Sequence, residues 1–337
     1  MTAIDAPCVP GLVYVDDRAP GYRRRRRGRG FAYFDADGAP LRDRDTIERL
    51  RGLVVPPAWT DVWFCIDPDG HIQATGRDAK GRKQYRYHTD WQRAREEAKF
   101  DSLVDFGHAL PLLRERIDAD MRRRELSFER VVATTVWLLD KTLIRIGNAE
   151  YANDSYGLTT LLDEHVDVSA ATLHFRFVGK SGKPHDVVLS DRRVARIVAK
   201  CQDLPGQQLL QYVADDGVRG VGSRDVNDYI RDVTRSGFTA KTFRTWGGSV
   251  FALAELRRFD PPRSATEAKI QTREAIKATA AVLRNTVTVC RQSYVHPTVV
   301  AAHADGRLQN LREPRPRADG RLSQDELRLM ALLEPGG

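Results

Sequence analysis

The chain has 337 residues, 41% of them hydrophobic, enough to bury the cores of two ordinary domains and too many for wholesale disorder. Its formal net charge of +8 favours polyanionic partners, nucleic acid before anionic membrane. No apolar run reaches the length of a membrane span, and the opening MTAIDAPCVPGLVYVDD is acidic where a secretion signal is basic, so the expected location is cytoplasmic, near the chromosome in a bacterium.

Up to about residue 90, turns rich in Gly, Pro and Asp separate short runs such as Phe31–Phe34 and Val62–Ile66. Asp35-Ala-Asp-Gly38 and Asp67-Pro-Asp-Gly70 have the chemistry of hairpin turns, and one helix is predicted near Asp45–Gly52. From Trp91 helical spacing takes over, with Phe100, Leu103, Phe106, Leu110 and Leu113 among the apolar positions. Glu129 to Ile146 predicts a further helix, with Val132, Val136, Leu139, Leu143 and Ile146 near one face and Gly147 as its stop. A β-hairpin follows, Thr172–Val178 and His185–Leu189 about a turn at Gly179–Pro184. Helices resume from Asp191, and Ser323 with Glu326 resembles a capping box opening the last of them. The fold class is α+β: a small β-rich N-terminal domain over 1–92, and a larger, mainly α-helical domain over 93–337 with an inserted β-hairpin.

Cys8, Cys65, Cys201 and Cys290 are scattered, with neither a C-x-x-C pair nor a histidine at zinc-finger spacing, so four reduced, mostly buried thiols are expected. The pairs Asp67/Asp69 and Asp118/Asp120 sit in turns or on helix faces without a third carboxylate, which favours solvation over metal binding. Val178-Gly-Lys-Ser181 looks like the tail of a phosphate-binding P-loop, but the glycine required five residues before Gly179 is His174. Neither a metal nor a cofactor is expected.

Arg23 to Arg27 are five consecutive arginines, either a solvated charge run or a set of phosphate contacts. In Gly81-Arg-Lys-Gln-Tyr-Arg-Tyr-His88, an extended strand would turn Gln84, Arg86 and His88 one way and Tyr85 and Tyr87 the other. That is an amphipathic strand with buried tyrosines, or one whose glutamine reads adenine while the tyrosines touch phosphates or thymine methyls. Lys241-Thr-Phe-Arg244-Thr-Trp-Gly-Gly lies at the start of a helix, with Thr239 as candidate cap. Arg244 could lie on its surface, and Gly247-Gly248 permits close approach by another helix or by DNA. The segment from Arg284 ends with Tyr294 just ahead of Pro297, and a phenol with an ordinary pKa of about 10 needs neighbouring cations to act as a nucleophile.

Taken in order, six stretches resemble the type IB DNA topoisomerases, specifically the compact, poxvirus-like branch that also occurs in bacteria. They are Gly81–Tyr87, Ile144-Arg-Ile-Gly-Asn148, Tyr156-Gly-Leu-Thr-Thr-Leu161, Phe177-Val-Gly-Lys180, Lys241–Gly247 and Val289-Cys-Arg-Gln-Ser-Tyr294. The resemblance implies Tyr294 as nucleophile, Arg145 and Arg244 as transition-state arginines, and Lys180 as general acid. It implies DNA contacts from Arg82, Lys83, Gln84, Tyr85, Tyr87 and Lys241, and a monomer closing as a C-shaped clamp on double-stranded DNA. Where many members have histidine nine positions before the tyrosine, this chain has Asn285, a neutral hydrogen-bond donor. Arg284 and Val287 likewise stand where Gly and Pro are frequent. Tyrosine recombinases share the catalytic plan but usually carry histidine three residues before the second arginine, where this chain has Lys241. A non-catalytic DNA-binding protein would explain the charge and the tyrosine-rich strand, but not Arg145, Lys180, Arg244 and Tyr294 together.

Overall fold

The computed structural model describes residues 9–148 and 155–334, so Cys8 lies outside the described residues. The chain divides into two compact units, Met1–Lys99 and Phe100–Gly337. Within the first, strands β1 (Tyr22–Arg27), β2 (Gly30–Phe34), β3 (Thr60–Phe64), β4 (Ile72–Arg77) and β5 (Lys83–Tyr87) form one antiparallel sheet in the order β2-β1-β3-β4-β5. Helix α1 (Arg44–Gly52) joins β2 to β3 and is capped by Asp43, which accepts from the Thr46 amide at 2.9 Å. Tyr33, Leu50, Val55, Val62, Phe64 and Ala74 form this unit's core.

The arginine run proves to be β1, an interior strand of that sheet. Its charges are tolerated because guanidinium groups find ring faces and carbonyls. Arg24 lies 4.1 Å from the centre of the Phe31 ring and donates to the carbonyls of Val55 (2.9 Å) and Pro56 (2.5 Å). Arg25 lies 4.8 Å from the Phe34 ring centre.

Helix α2 (Thr89–Met121) contains the division between the units. Its Leu103, Phe106, Leu110, Leu113 and Ile117 are buried at three- and four-residue spacing in the core of the second unit. Next comes α3 (Phe128–Thr142), capped by Ser127. The helix ends at Leu143 in the left-handed region (φ 53°), four residues short of the glycine stop expected at Gly147. The cause is tertiary: the Leu143 carbonyl accepts a hydrogen bond from Arg244, 101 residues away.

Strands β6 (Val166–Ser169), β7 (Thr172–Gly179) and β8 (Lys183–Ser190) make a three-stranded antiparallel sheet. Pro184 pairs with Val178 inside it, so the turn between β7 and β8 shrinks to Lys180–Gly182. The chain continues through α4 (Arg192–Gln202), the short pair β9 (Gln211–Ala214) and β10 (Gly217–Gly220), α5 (Ser223–Thr234) and α6 (Ala240–Leu256). It ends with α7 (Ala265–Leu283), α8 (Val287–Ser293), α9 (Pro297–Ala304) and α10 (Gln324–Leu333), the last opened by the Ser323/Glu326 capping box. A buried polar brace ties α10 to α2, α3 and α6. Arg114 donates to Asp140 (2.9 Å) and Glu326 (2.8 Å), and Glu326 accepts from the Trp246 indole at 3.0 Å.

The mixed α/β character, an N-terminal sheet followed by a mostly helical core, agrees with the sequence reading. Of the aspartate pairs, Asp118/Asp120 is engaged rather than simply solvated. Asp118 pairs with Arg193 and Arg321, and buried Asp120 accepts from Arg116, Arg123 and the Tyr229 hydroxyl. Among the described residues no group of three His, Cys, Asp or Glu side chains is placed to hold a metal ion, and no helix is long and apolar enough to cross a membrane. Cys65, Cys201 and Cys290 are buried free thiols.

Candidate active site

The early end of α3 releases Ile144–Asn148 as an irregular segment carrying Arg145. Backbone bonds anchor it, from the Leu158 amide to the Arg145 carbonyl (2.9 Å) and from the Thr159 amide to the Ile146 carbonyl (2.7 Å). Gly157 is required for that approach, because a Cβ there would stand 2.6 Å from the Arg145 carbonyl oxygen. Arg145 is half-buried and donates through Nη2 to Oδ1 of Asn285.

Arg244, in the second turn of α6, is only 3% exposed, which excludes a helix-surface role. Its Nη1 donates to the Leu143 carbonyl and its Nη2 to the Leu283 carbonyl (2.8 Å). These acceptors lie at the C-terminal ends of α3 and α7, the negative poles of both helices. Its guanidinium carbon lies 5.2 Å from the centre of the Tyr294 ring. Burial pushes its pKa down to about 10, with Tyr294 opposing the shift and Arg145 adding to it, so it stays charged at neutral pH.

Helix α7 closes on Arg284, again left-handed (φ 51°, ψ 46°), and the Asn285 amide then donates to the Ala280 carbonyl at 2.9 Å. Asn285 does not cap α8. Thr286 does, through its hydroxyl and the Val289 amide (3.3 Å). Because Arg145 occupies Oδ1, the Asn285 amide nitrogen faces elsewhere, and it is buried without a partner. Tyr294 stands at the C-terminal end of α8, 7% exposed, in an apolar cluster with Ala252, Ile276, Ala280, Leu283, Cys290 and Val295. Both glycines of the pair on α6 are used for close packing. A Cβ on Gly248 would come 2.6 Å from the Tyr294 carbonyl oxygen, and one on Gly247 would come 2.6 Å from the Leu143 side chain.

Lys180 begins the turn after β7, is exposed, and makes no hydrogen bond or ion pair among the described residues. The structure thus brings Arg145, Arg244, Asn285 and Tyr294 together and leaves Lys180 on an adjoining turn. The link between them is His185, which sequence reasoning missed. It pairs with Phe177 across β7 and β8, stacks on that ring at 4.4 Å, and lies so close to Gly179 that a Cβ there would be 2.6 Å from its Nε2. Burial, followed by the charges of Arg284, Arg244 and Arg145, pushes its pKa to about 4. The only local signal was a histidine in strand register with Phe177.

Comparison with known proteins gives the family. Residues 88–317 match the family "Eukaryotic DNA topoisomerase I, catalytic core", and residues 30–78 match "Bacterial DNA topoisomerase IB, N-terminal domain". The chain belongs to the type IB DNA topoisomerases. DNA topoisomerase 1B of Acanthamoeba polyphaga mimivirus is 34% identical over 285 residues, covering 82% of this chain and 85% of that protein. DNA topoisomerase 1B of vaccinia virus (strain Copenhagen) is 24% identical over 279 residues, covering 77% and 82%. This type IB topoisomerase is therefore an isomerase with DNA as its substrate.

In the N-terminal unit of the topoisomerase, Tyr85 is 41% exposed and its ring stacks on Tyr87 at 5.7 Å, so it does not enter the core. The neighbouring polar groups are engaged internally: Lys83 pairs with Asp17 (2.5 Å), and Asp78 pairs with Arg82 (2.6 Å) and accepts from Gln84 (3.1 Å). Lys241 is exposed in the first turn of α6, one turn before Arg244.

Two expected results follow from packing around the site. Gly248→Ala should slow relaxation by about ten- to a hundred-fold, because the added methyl displaces Tyr294 through its backbone, and misplacement on the ångström scale costs rates of that order. A Gly248→Ala rate equal to wild type would show that the close approach has no bearing on the tyrosine. The second concerns pH. Above pH 6.5 His185 is neutral in both folded and unfolded chains. As pH falls from 6.5 to about 4, the unfolded chain takes up a proton that the folded one refuses, so stability falls across that window. The loss is on the order of 3 kcal/mol, and His185→Gln should flatten it. Denaturation midpoints measured from pH 4 to 7 decide this, an unchanged slope in the variant speaking against it.

Proposed function

We propose that the enzyme relaxes positive and negative supercoils by transient cleavage of one strand. The Tyr294 hydroxyl oxygen attacks the scissile phosphorus and gives its proton to solvent water, an O–P bond forms, and the bond to the 5′ oxygen breaks, leaving a 3′-phosphotyrosyl link. Arg145, Arg244 and the free amide of Asn285 serve the non-bridging oxygens, where charge is concentrated in the transition state. Lys180 protonates the departing 5′ oxygen. The phosphotyrosyl link retains the bond energy, so resealing after strand rotation requires no ATP, and the guanidinium groups meet the phosphate charge without a metal ion. In the same reading a monomer closes as a C-shaped clamp on duplex DNA. Arg82, Lys83, Gln84, Tyr85 and Tyr87 contact it from the β-rich unit and Lys241 from the helical one.

The observation that carries this reading is the placing of the Tyr294 ring beneath a buried, charged Arg244, beside a paired Arg145 and Asn285. Plasmid relaxation in EDTA without ATP tests it. Both signs of supercoil should relax, at a rate first order in protein; strand exchange between duplexes, or a second-order dependence, would point to a recombinase instead. Lys180→Ala should be slow on ordinary DNA, and replacing the bridging 5′ oxygen by sulfur should restore most of the rate, because a thiolate leaves without a proton. Arg244→Ala should be rescued far less. Equal rescue of both variants would remove the general-acid role.

A further inference from the structure

Arg284 has no part in the chemistry above, yet it stands between two groups that do. The carbonyl of Leu283 before it binds Arg244, and the side chain of Asn285 after it binds Arg145. It is half-buried in a left-handed conformation (φ 51°) that costs an ordinary side chain about 1 kcal/mol and suits glycine. Its Nε is buried without a partner. Among the described residues no carboxylate forms an ion pair with Arg145, Arg244 or Arg284, and the charges of all three bear on His185. The Arg284 charge acts on His185, whose ring abuts Gly179 just before Lys180. A partly buried cation in an unfavourable backbone conformation lowers stability, and a bound phosphate would neutralise it.

We propose that Arg284 is a third guanidinium contact to the scissile phosphate, supplying the positive charge that Asn285, a neutral amide, does not. The proposal rests on the reading that Tyr294 attacks that phosphate. It assigns the charge to the residue preceding the asparagine and gives the left-handed arginine its function.

The test is single-turnover cleavage by the full chain carrying Arg284→Gly, Arg284→Asn or Arg284→Lys, with melting temperatures measured in parallel. Glycine and asparagine both tolerate the left-handed conformation, so both variants should melt at or above the wild-type temperature. Both should cleave ordinary DNA about ten- to a hundred-fold more slowly, and Arg284→Lys should recover part of the loss. On DNA whose scissile phosphate is replaced by a neutral methylphosphonate, the gap between wild type and Arg284→Gly should fall below about threefold. Cleavage by Arg284→Gly at the wild-type rate overturns the proposal. So does a gap that survives at the scissile methylphosphonate and closes only when a flanking phosphate is neutralised. Either result leaves the role of Tyr294 intact provided that the wild type forms its covalent adduct, whereas absence of that adduct in the wild type refutes the underlying reading itself.

Discussion

Tyr294→Phe is expected to abolish covalent capture of DNA, with relaxation lowered by a factor on the order of 10⁴ or more, while DNA affinity stays within about twofold of wild type. The substitution removes one hydroxyl and nothing else. The ring keeps its place among Ala252, Ile276, Ala280, Leu283 and Val295, and under Arg244 at 5.2 Å from the guanidinium carbon. Folding and the cationic surroundings should therefore be unchanged, and the loss should fall wholly on the chemical step. Denaturing gels with end-labelled duplex read out the adduct, and equilibrium binding reads out affinity. Labelled DNA trapped on the Phe variant would mean that another residue is the nucleophile.

Arg244→Ala should have the next largest effect, lowering single-turnover cleavage by a factor on the order of 10³. Two losses combine in it. The guanidinium over the tyrosine ring disappears, and the carbonyls of Leu143 and Leu283 lose their donor. An unsatisfied buried carbonyl costs about 1–3 kcal/mol, so the melting temperature should also fall. Arg244→Lys separates the two, because it keeps a positive charge but cannot span both carbonyls. It should recover part of the cleavage and little of the stability. If Arg244→Ala remains folded and cleaves within tenfold of wild type, the guanidinium is a structural brace and the transition-state role passes to Arg145.

Much of this site was legible in the sequence, because its parts are short local motifs in a set order. Tyr294, Arg145, Arg244, Lys180 and Asn285 were all named from such motifs, and the structure brings four of them together. What escaped was decided across the chain. The stop of α3 was placed at Gly147, the residue type that favours a left-handed turn, whereas Leu143 takes that conformation where its carbonyl meets Arg244. Five arginines offered no alternating pattern, yet they form an interior strand because Phe31, Phe34 and backbone carbonyls lie within reach. His185 looked like one polar residue in a strand. Its significance comes from arginines on three separate segments, none of which its own neighbours in sequence announce.

The manner in which Arg244 is held bears on how safely the protein can be made. An enzyme that nicks DNA is a hazard to the cell if its cutting activity appears before its resealing activity. Here the arginine over the tyrosine has acceptors for both its Nη groups only when the ends of α3 and α7 have both reached it, and the tyrosine itself lies one short helix beyond the second of these ends. A newly made or thermally loosened chain with one of those helices out of place lacks an acceptor for Arg244 and lacks the frame that sets Tyr294 beneath it. In the proposed mechanism cutting and resealing use the same assembled groups, so they would be acquired together and lost together. A chain caught midway through folding is therefore disarmed. Conversely, unfolding while a strand is held open would strand the break on the protein, which makes the joint between α3, α6 and α7 the place where heat or mutation would turn a repairable nick into a lasting lesion.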